Sequence, residues 1–180
     1  MPGALDPAKE PEGEPGMAEL LWAPWRMEFI GGAAAPGCLF CRTGRADAGD
    51  AENLVLCRGA VAFAILNRFP YTNGHVMVAP YRHGGDLDRL TPAEGAELLT
   101  LAGRCTRVLA DAFRAEGFNV GFNLGKVAGA GVSDHLHLHV VPRWSGDTNF
   151  LPVIGDTRVV PDYLANTFRK LQPYFQAAAG

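Results

Sequence analysis

The segment His135-Leu136-His137-Leu138-His139 places a histidine at every second position, with a leucine between each pair. Alternate side chains of a β-strand share one face, so the pattern predicts a strand over 135–141 with three imidazoles about 6–7 Å apart in one row. Three buried histidines with no shared function would leave several polar groups without hydrogen-bond partners, which costs folding free energy. The pattern therefore favours a functional site over core packing. Because imidazole is a nucleophile, a proton carrier near pH 7 and a metal ligand, the row predicts phosphoryl chemistry or metal binding.

Length and charge restrict the classes of protein that this chain can belong to. Its 180 residues fit one domain with a sizeable core. The formal net charge of -3 argues against a nucleic-acid surface, which is normally strongly basic. No apolar run approaches the ~18–20 residues that cross a bilayer, and no basic-then-apolar export signal is found. We therefore expect a cytoplasmic protein whose partners include neither nucleic acid nor membrane.

The hydrophobic pattern predicts an α+β fold. Residues 1–16 are rich in Pro, Gly, Glu and Ala, which predicts a disordered tail followed by a single domain over 17–180. Strands are predicted near 54–57, 61–66, 75–79, 119–124 and 135–141. They indicate an antiparallel sheet of about five strands.

Two helices are predicted beside this sheet. Thr91-Pro92-Ala93-Glu94 supplies the N-cap, the first-turn proline and the third-position glutamate of a capping box, and apolar residues follow at helical spacing to about Ala115. A C-terminal helix is predicted from about Pro161 to about Gln176. The long first helix is expected to cover one face of the sheet, and an aromatic segment at 20–26 is expected to pack against the domain.

The histidine row, followed by Val140-Val141, resembles the His-x-His-x-His motif of the histidine-triad (HIT) superfamily. Other segments that occur in the family's order are 64–70, 74–80 and 123–125. The flanks at 21–26 and 146–150 resemble bacterial diadenosine tetraphosphate hydrolases and phosphorylases. This resemblance implies a HIT-like fold, a nucleotide substrate and a homodimer.

The resemblance also assigns roles to the histidines. His137, the middle one, would attack the α-phosphorus of a nucleotide and form a covalent nucleotidyl-histidine. His139 would contact phosphate oxygens, and His75 would support the row from the neighbouring strand. The residues implied for catalysis are His75, His135, His137 and His139, and those implied for nucleotide binding are Asn67, Asn123, Gly131, Val132, Ser133 and His139.

Two of these assignments have alternatives in the sequence itself. Asn67 matches the family position that holds ribose hydroxyls, but an asparagine before Pro70 is also typical of a turn. The glycine-rich segment 125–133 predicts backbone N–H groups close to phosphate. The segment lacks the glutamine that usually precedes the triad in the family, and it is one residue longer than the usual segment. The contacts that this glutamine makes in other members would then be made by backbone groups, Lys126 or Ser133.

A Cys-x-x-Cys pair indicates a metal site. Cys38 and Cys41 have the spacing that lets two thiolates reach one tetrahedral zinc, although a structural thiol pair or a redox motif has the same spacing. The resemblance implies that His83 and His135 complete the ligand set. Zinc would then be structural and would leave His137 free.

Three functions fit the sequence. The leading one is cleavage of dinucleoside polyphosphates such as diadenosine tetraphosphate at the α-phosphate, by water or by inorganic phosphate. A purine nucleoside phosphoramidase would use the same His137 intermediate, and a zinc-stabilised nucleotide-binding domain would have lost turnover. In each case the base is expected to lie against Phe40, Phe63 and Ile65.

Overall fold

The computed structural model describes residues 37–45, 49–147 and 162–177. The predicted tail, the aromatic segment at 20–26, the predicted domain start at 17 and the predicted helix start at Pro161 lie outside these ranges.

Within the described residues, five strands form one antiparallel sheet. They are β1 (Val55–Arg58), β2 (Ala62–Leu66), β3 (Val76–Pro80), β4 (Gly117–Phe122) and β5 (Leu138–Arg143). Their order across the sheet is β1-β2-β3-β5-β4, and each neighbouring pair is antiparallel. The predicted α+β architecture is confirmed.

Two strands differ from the sequence prediction by two residues or more, and the other three differ by one residue. β5 begins at Leu138 rather than at His135, because the segment before it bonds to the loop after β3 instead of the strand ladder. The Leu136 N–H donates to the Gly84 carbonyl at 2.7 Å, and the His135 ring bonds to the Pro80 carbonyl at 2.9 Å. β4 lies two residues earlier than predicted, at Gly117–Phe122.

Three α-helices accompany the sheet in the described ranges: α1 (Leu39–Thr43), α2 (Pro92–Phe113) and α3 (Leu164–Ala177). The capping box of α2 is present, since Thr91 Oγ1 accepts from the Glu94 N–H at 3.2 Å and the Glu94 carboxylate accepts from the Thr91 N–H at 2.9 Å. An ion pair with Arg82, aided by the Thr91 hydrogen bonds, lowers the pKa of Glu94 to about 2. α2 ends at Phe113, where Arg114 adopts a left-handed conformation.

The sheet separates two apolar layers. On one face α2 and α3 pack over the sheet, and Leu138 and Val140 of β5 join this core. The opposite face carries a smaller cluster that includes Phe40, Phe63 and Met77. His139 pairs with Met77 across β3 and β5, so it lies on this second face, away from α2. The leucine–histidine alternation therefore divides core from site as the sequence predicts.

Within the described ranges, none of the helices combines the length and the apolar character needed to cross a bilayer.

Candidate functional site

His137 is held by the main chain of a residue two positions earlier. Its Nδ1 atom lies 2.9 Å from the carbonyl oxygen of His135. A carbonyl only accepts, so Nδ1 carries the proton and the Nε2 atom of the neutral ring keeps its lone pair. Burial lowers the pKa of His137, an effect that the hydrogen bond to the carbonyl partly opposes. The ring is therefore neutral at pH 7 and offers a nucleophilic nitrogen.

His75 and His139 form a second, directional pair. The backbone N–H of Tyr71 donates to His75 Nδ1 at 3.1 Å, so this nitrogen is unprotonated and the proton of the neutral ring lies on Nε2. His75 Nε2 is 2.9 Å from His139 Nδ1 and donates to it. Burial, followed by the charge of His137, lowers the pKa of His139 to about 4. His139 is thus neutral, and its own proton lies on Nε2.

Asn123 and Tyr71 border the Nε2 side of His139. The Asn123 amide nitrogen donates to the Tyr71 hydroxyl at 3.4 Å. It also lies 3.5 Å from His139 Nε2, but this contact is not a hydrogen bond, because both nitrogens are donors in the tautomer that His75 sets. The Tyr71 ring stacks on His139 at a centroid distance of 5.9 Å and lies 4.7 Å from the His75 ring. The sequence analysis missed Tyr71. Its position between the predicted site residues Asn67 and His75 was the available signal.

Asn67 is engaged within the protein. Its Oδ1 atom accepts from the Phe69 N–H at 2.9 Å, and its amide nitrogen lies 3.1 Å from His75 Nδ1. The first contact is the turn-stabilising role that the sequence left open. The second makes Asn67 another group that orients His75. Contact with a ribose stays a prediction.

The glycine-rich loop uses part of its backbone internally. The N–H groups of residues 128–130 donate to the carbonyls of Gly125 and Lys126 at 3.0–3.3 Å, which forms a short 3-10 turn. These N–H groups are consequently not directed at a ligand, contrary to the simplest form of the prediction. Contact of the later part of the loop, residues 131–133, with phosphate stays a prediction.

Cys38, Cys41, His83 and His135 converge, as the sequence analysis expected. Their donor atoms all lie within 4.8 Å of one another. His135 Nδ1 is 3.3 Å from Cys38 Sγ and 3.5 Å from Cys41 Sγ, and His83 Nδ1 is 3.3 Å from Cys41 Sγ. A tetrahedral zinc with S and N ligands needs separations of about 3.3–3.8 Å between its ligand atoms. The donor set therefore fits a metal ion of this kind.

The outer contacts of the two histidines also fit a metal site. His135 Nε2 donates to the Pro80 carbonyl at 2.9 Å, which leaves Nδ1 unprotonated and facing the thiols. His83 Nε2 lies 3.8 Å from an Asp134 carboxylate oxygen. A carbonyl or carboxylate behind the ring is the usual support of a metal-ligating histidine. The arrangement favours a metal site over a redox pair of thiols.

Phe40 lies beside the histidines in a way the sequence did not predict. Its ring stacks on His137 at a centroid distance of 4.8 Å and contacts His135 at 5.2 Å. It is 1% exposed, Phe63 is 0% exposed and Ile65 is 4% exposed. All three side chains are packed against protein groups, and their contact with a base stays a prediction.

The HIT domain family model matches residues 49–146, more than half of the chain. The chain therefore belongs to the histidine-triad family. The AP-4-A phosphorylase of Mycobacterium tuberculosis is 42% identical over 88% of this chain and 85% of its own length. The asymmetrical bis(5'-nucleosyl)-tetraphosphatase of Schizosaccharomyces pombe is 36% identical over 52% of this chain and 50% of its own length. A zinc-bound histidine-triad protein of Mycobacterium smegmatis is similar in structure, with a TM-score of 0.62 and 30% identity over 78% of this chain and 94% of that one.

Proposed function

We propose that this protein cleaves dinucleoside polyphosphates such as diadenosine tetraphosphate at an α-phosphate, with inorganic phosphate as the second acceptor. The observation that carries the proposal is the 2.9 Å contact between His137 Nδ1 and the His135 carbonyl, which leaves His137 Nε2 as the nucleophilic atom. The similarity to the AP-4-A phosphorylase, which extends over 88% of the chain, supports both the substrate and the acceptor.

The first chemical step forms a bond between His137 Nε2 and the α-phosphorus. The bond from that phosphorus to the bridging oxygen breaks, and the electron pair leaves with the departing ATP. Since Nδ1 keeps its proton, the nucleotidyl-histidine is a cation whose charge faces the His135 carbonyl. The carbonyl dipole thus stabilises the ring as the positive charge develops.

The second step reverses the displacement with a different oxygen. An oxygen of inorganic phosphate attacks the α-phosphorus, the P–N bond breaks, and ADP leaves while His137 returns to its starting form. Water in place of phosphate would give AMP by the same route. The sum for the phosphate reaction is diadenosine tetraphosphate plus phosphate to ADP plus ATP.

His139 is proposed to donate Nε2–H to an oxygen of the transferring group. The His75 hydrogen bond keeps its Nδ1 unprotonated, so the donor atom lies on the Asn123 side. We propose Asn123 and the backbone at 131–133 as further donors to the phosphate chain. Phosphoryl transfer depends mainly on such positioned donors, because the reacting oxygens accumulate negative charge.

The test is product analysis with diadenosine tetraphosphate, with and without inorganic phosphate. We expect ADP and ATP that appear only with phosphate, and an acid-labile label on the protein after a brief reaction with substrate labelled at the α-phosphorus. A folded His137→Gln variant should give neither product nor label.

AMP and ATP at equal rates in both conditions would identify water as the acceptor. Faster turnover of an adenosine phosphoramidate would identify a phosphoramidase, and a His137→Gln variant with normal turnover would overturn the nucleophile.

We also propose that the Cys38, Cys41, His83 and His135 cluster binds zinc. Zinc bound there would act as a structural cross-link between the chain around α1 and the segment before β5. Metal analysis should find about one zinc per chain in protein purified without chelator. A Cys38→Ser variant should lose it, whereas Cys57→Ser, outside the cluster, should retain it. Equal zinc contents in the two variants would exclude these ligands.

A homodimer through β4 is the proposed assembly. β4 is an edge strand that pairs with β5 alone in the described sheet, and Asn119, Val120 and Gly121 on it are exposed. An uncovered edge of this kind is open to pairing with another strand. Light scattering after size exclusion should give twice the chain mass, and a Val120→Lys variant should give the monomer mass. A wild-type monomer would contradict the proposal.

A further inference from the structure

We propose that Phe40 is a positioning residue for His137, and that the metal cluster acts on the nucleophile through the Phe40 ring. The inference rests on the proposed function for its catalytic consequence. Its structural part, the control of the His137 ring by Phe40, is independent of the substrate.

The first argument is the set of contacts that restrain the His137 ring. Phe40 stacks on it with an interplanar angle of 30°, and the His139 ring meets it edge-on at 4.8 Å. The one hydrogen bond that fixes its tautomer goes to the His135 carbonyl. A flat ring in van der Waals contact opposes rotation of the imidazole about its Cβ–Cγ bond. Rotation would move Nδ1 off the carbonyl, and the proton would no longer be fixed on that nitrogen.

The second argument is that Phe40 is joined to the metal cluster. It lies between Cys38 and Cys41 in sequence, and its ring also contacts that of His135 at 5.2 Å. It therefore touches the ring of one proposed ligand and the ring of the proposed nucleophile. When the two thiols are tied to His83 and His135 through a metal, the backbone on each side of Phe40 is fixed.

The third argument is that α1 cannot hold Phe40 in place by itself. A helix of five residues is too short to be stable on its own. Its C-terminal end is fixed by the Arg58 guanidinium, which donates to the carbonyls of Thr43, Gly44 and Arg45 at 2.9–3.1 Å. Its other end lies among the thiols. The position of Phe40 thus depends on its apolar neighbours, on Arg58 at one end of α1 and on the proposed metal cluster at the other.

A purely structural role for Phe40 would have different consequences. Phe63 offers a matched comparison, because it is fully buried, belongs to the same apolar cluster and stacks on Tyr81 at 5.4 Å. Replacing either phenylalanine by leucine removes a comparable volume from the same layer. Loss of packing alone would lower the melting temperature in both variants and would leave the His137 tautomer as it is.

The experiment compares Phe40→Leu and Phe63→Leu in zinc-loaded protein. We measure zinc content, kcat and KM with diadenosine tetraphosphate, and the His137 ring tautomer by long-range ¹H–¹⁵N NMR, assigned with the His137→Gln variant. We expect Phe40→Leu to keep its zinc, to lower kcat about tenfold or more with KM little changed, and to mix the two tautomers. Phe63→Leu should keep the wild-type tautomer.

The outcomes separate this inference from the proposed function. Wild-type tautomer and kcat in Phe40→Leu, or an equal mixing of tautomers in Phe63→Leu, would overturn the role of Phe40. An inactive wild-type protein would instead remove the proposed function, and the NMR comparison would still decide whether Phe40 fixes the ring. If Phe40→Leu does not fold, Phe40→Met, whose flexible side chain can fill the space without a flat ring, decides by the same tautomer measurement.

Discussion

The Nε2 atom of His75 lies 2.9 Å from the Nδ1 atom of His139, and the backbone N–H of Tyr71 determines the direction of this hydrogen bond. A main-chain donor cannot change its protonation state. The proton positions on both histidines are therefore fixed by the fold before any ligand arrives. The same holds for His137, whose proton is fixed by a main-chain carbonyl.

Replacing His75 by alanine is expected to lower kcat/KM by about 10–100-fold, the effect of leaving the buried His139 Nδ1 without a donor. His75→Gln, whose amide can donate to the same nitrogen, should recover part of the loss. Steady-state kinetics on the two variants, with folding checked by circular dichroism, makes the comparison. Equal activities of His75→Ala and wild type would show that this hydrogen bond does not serve catalysis.

Activity and stability should respond to pH below the usual histidine range. Burial lowers the pKa values of His137 and His139, that of His139 to about 4 from a usual 6.5. His139 therefore stays neutral at pH 6, and His137 is less protonated there than an unshifted imidazole, so we expect kcat/KM to fall less between pH 7.5 and pH 6 than titration of an unshifted histidine would give.

The stability effect has a definite sign. The native protein binds fewer protons at His139 than the unfolded chain, so its contribution is complete above pH 6.5 and is lost as the pH falls towards 4. Urea unfolding of wild type and His139→Gln at several pH values, with zinc content monitored, should give a shallower pH dependence for the variant. Parallel curves would contradict the shifted pKa.

Gly85→Ala is expected to disturb the loop that carries His83. A Cβ atom at Gly85 would clash with the Ser133 carbonyl oxygen, a contact that only backbone movement can relieve. Overpacking of this kind typically costs about 1–3 kcal/mol. At Gly84 the added Cβ would meet only the end of the Arg82 side chain at 3.4 Å, which can move.

The readouts are the urea midpoint and the zinc affinity of each glycine variant. Both should fall in Gly85→Ala and change little in Gly84→Ala. Similar values for the two variants would mean that the close approach to Ser133 is not required.

The parts of the site that the sequence predicted are local patterns. The leucine–histidine alternation assigns His139 to one face of β5 and Leu138 to the other. The cysteine spacing indicated the two thiols of the candidate metal cluster, and Thr91 with Glu94 marked the start of α2. Each of these features depends on residues within a few positions of one another, so the sequence carries the physical reason directly.

Sequence alone therefore determined the five-stranded sheet, the long helix and the residue types of the site, because periodicity and capping act over short distances along the chain. Tertiary structure decided which ring nitrogens hold protons, since the Pro80 carbonyl bonds to His135 across 55 positions and His75 to His139 across 64. It also decided that β5 starts at Leu138 and that Phe40 packs on His137. Contacts between distant segments exist only after the chain has folded, so no local pattern encodes them.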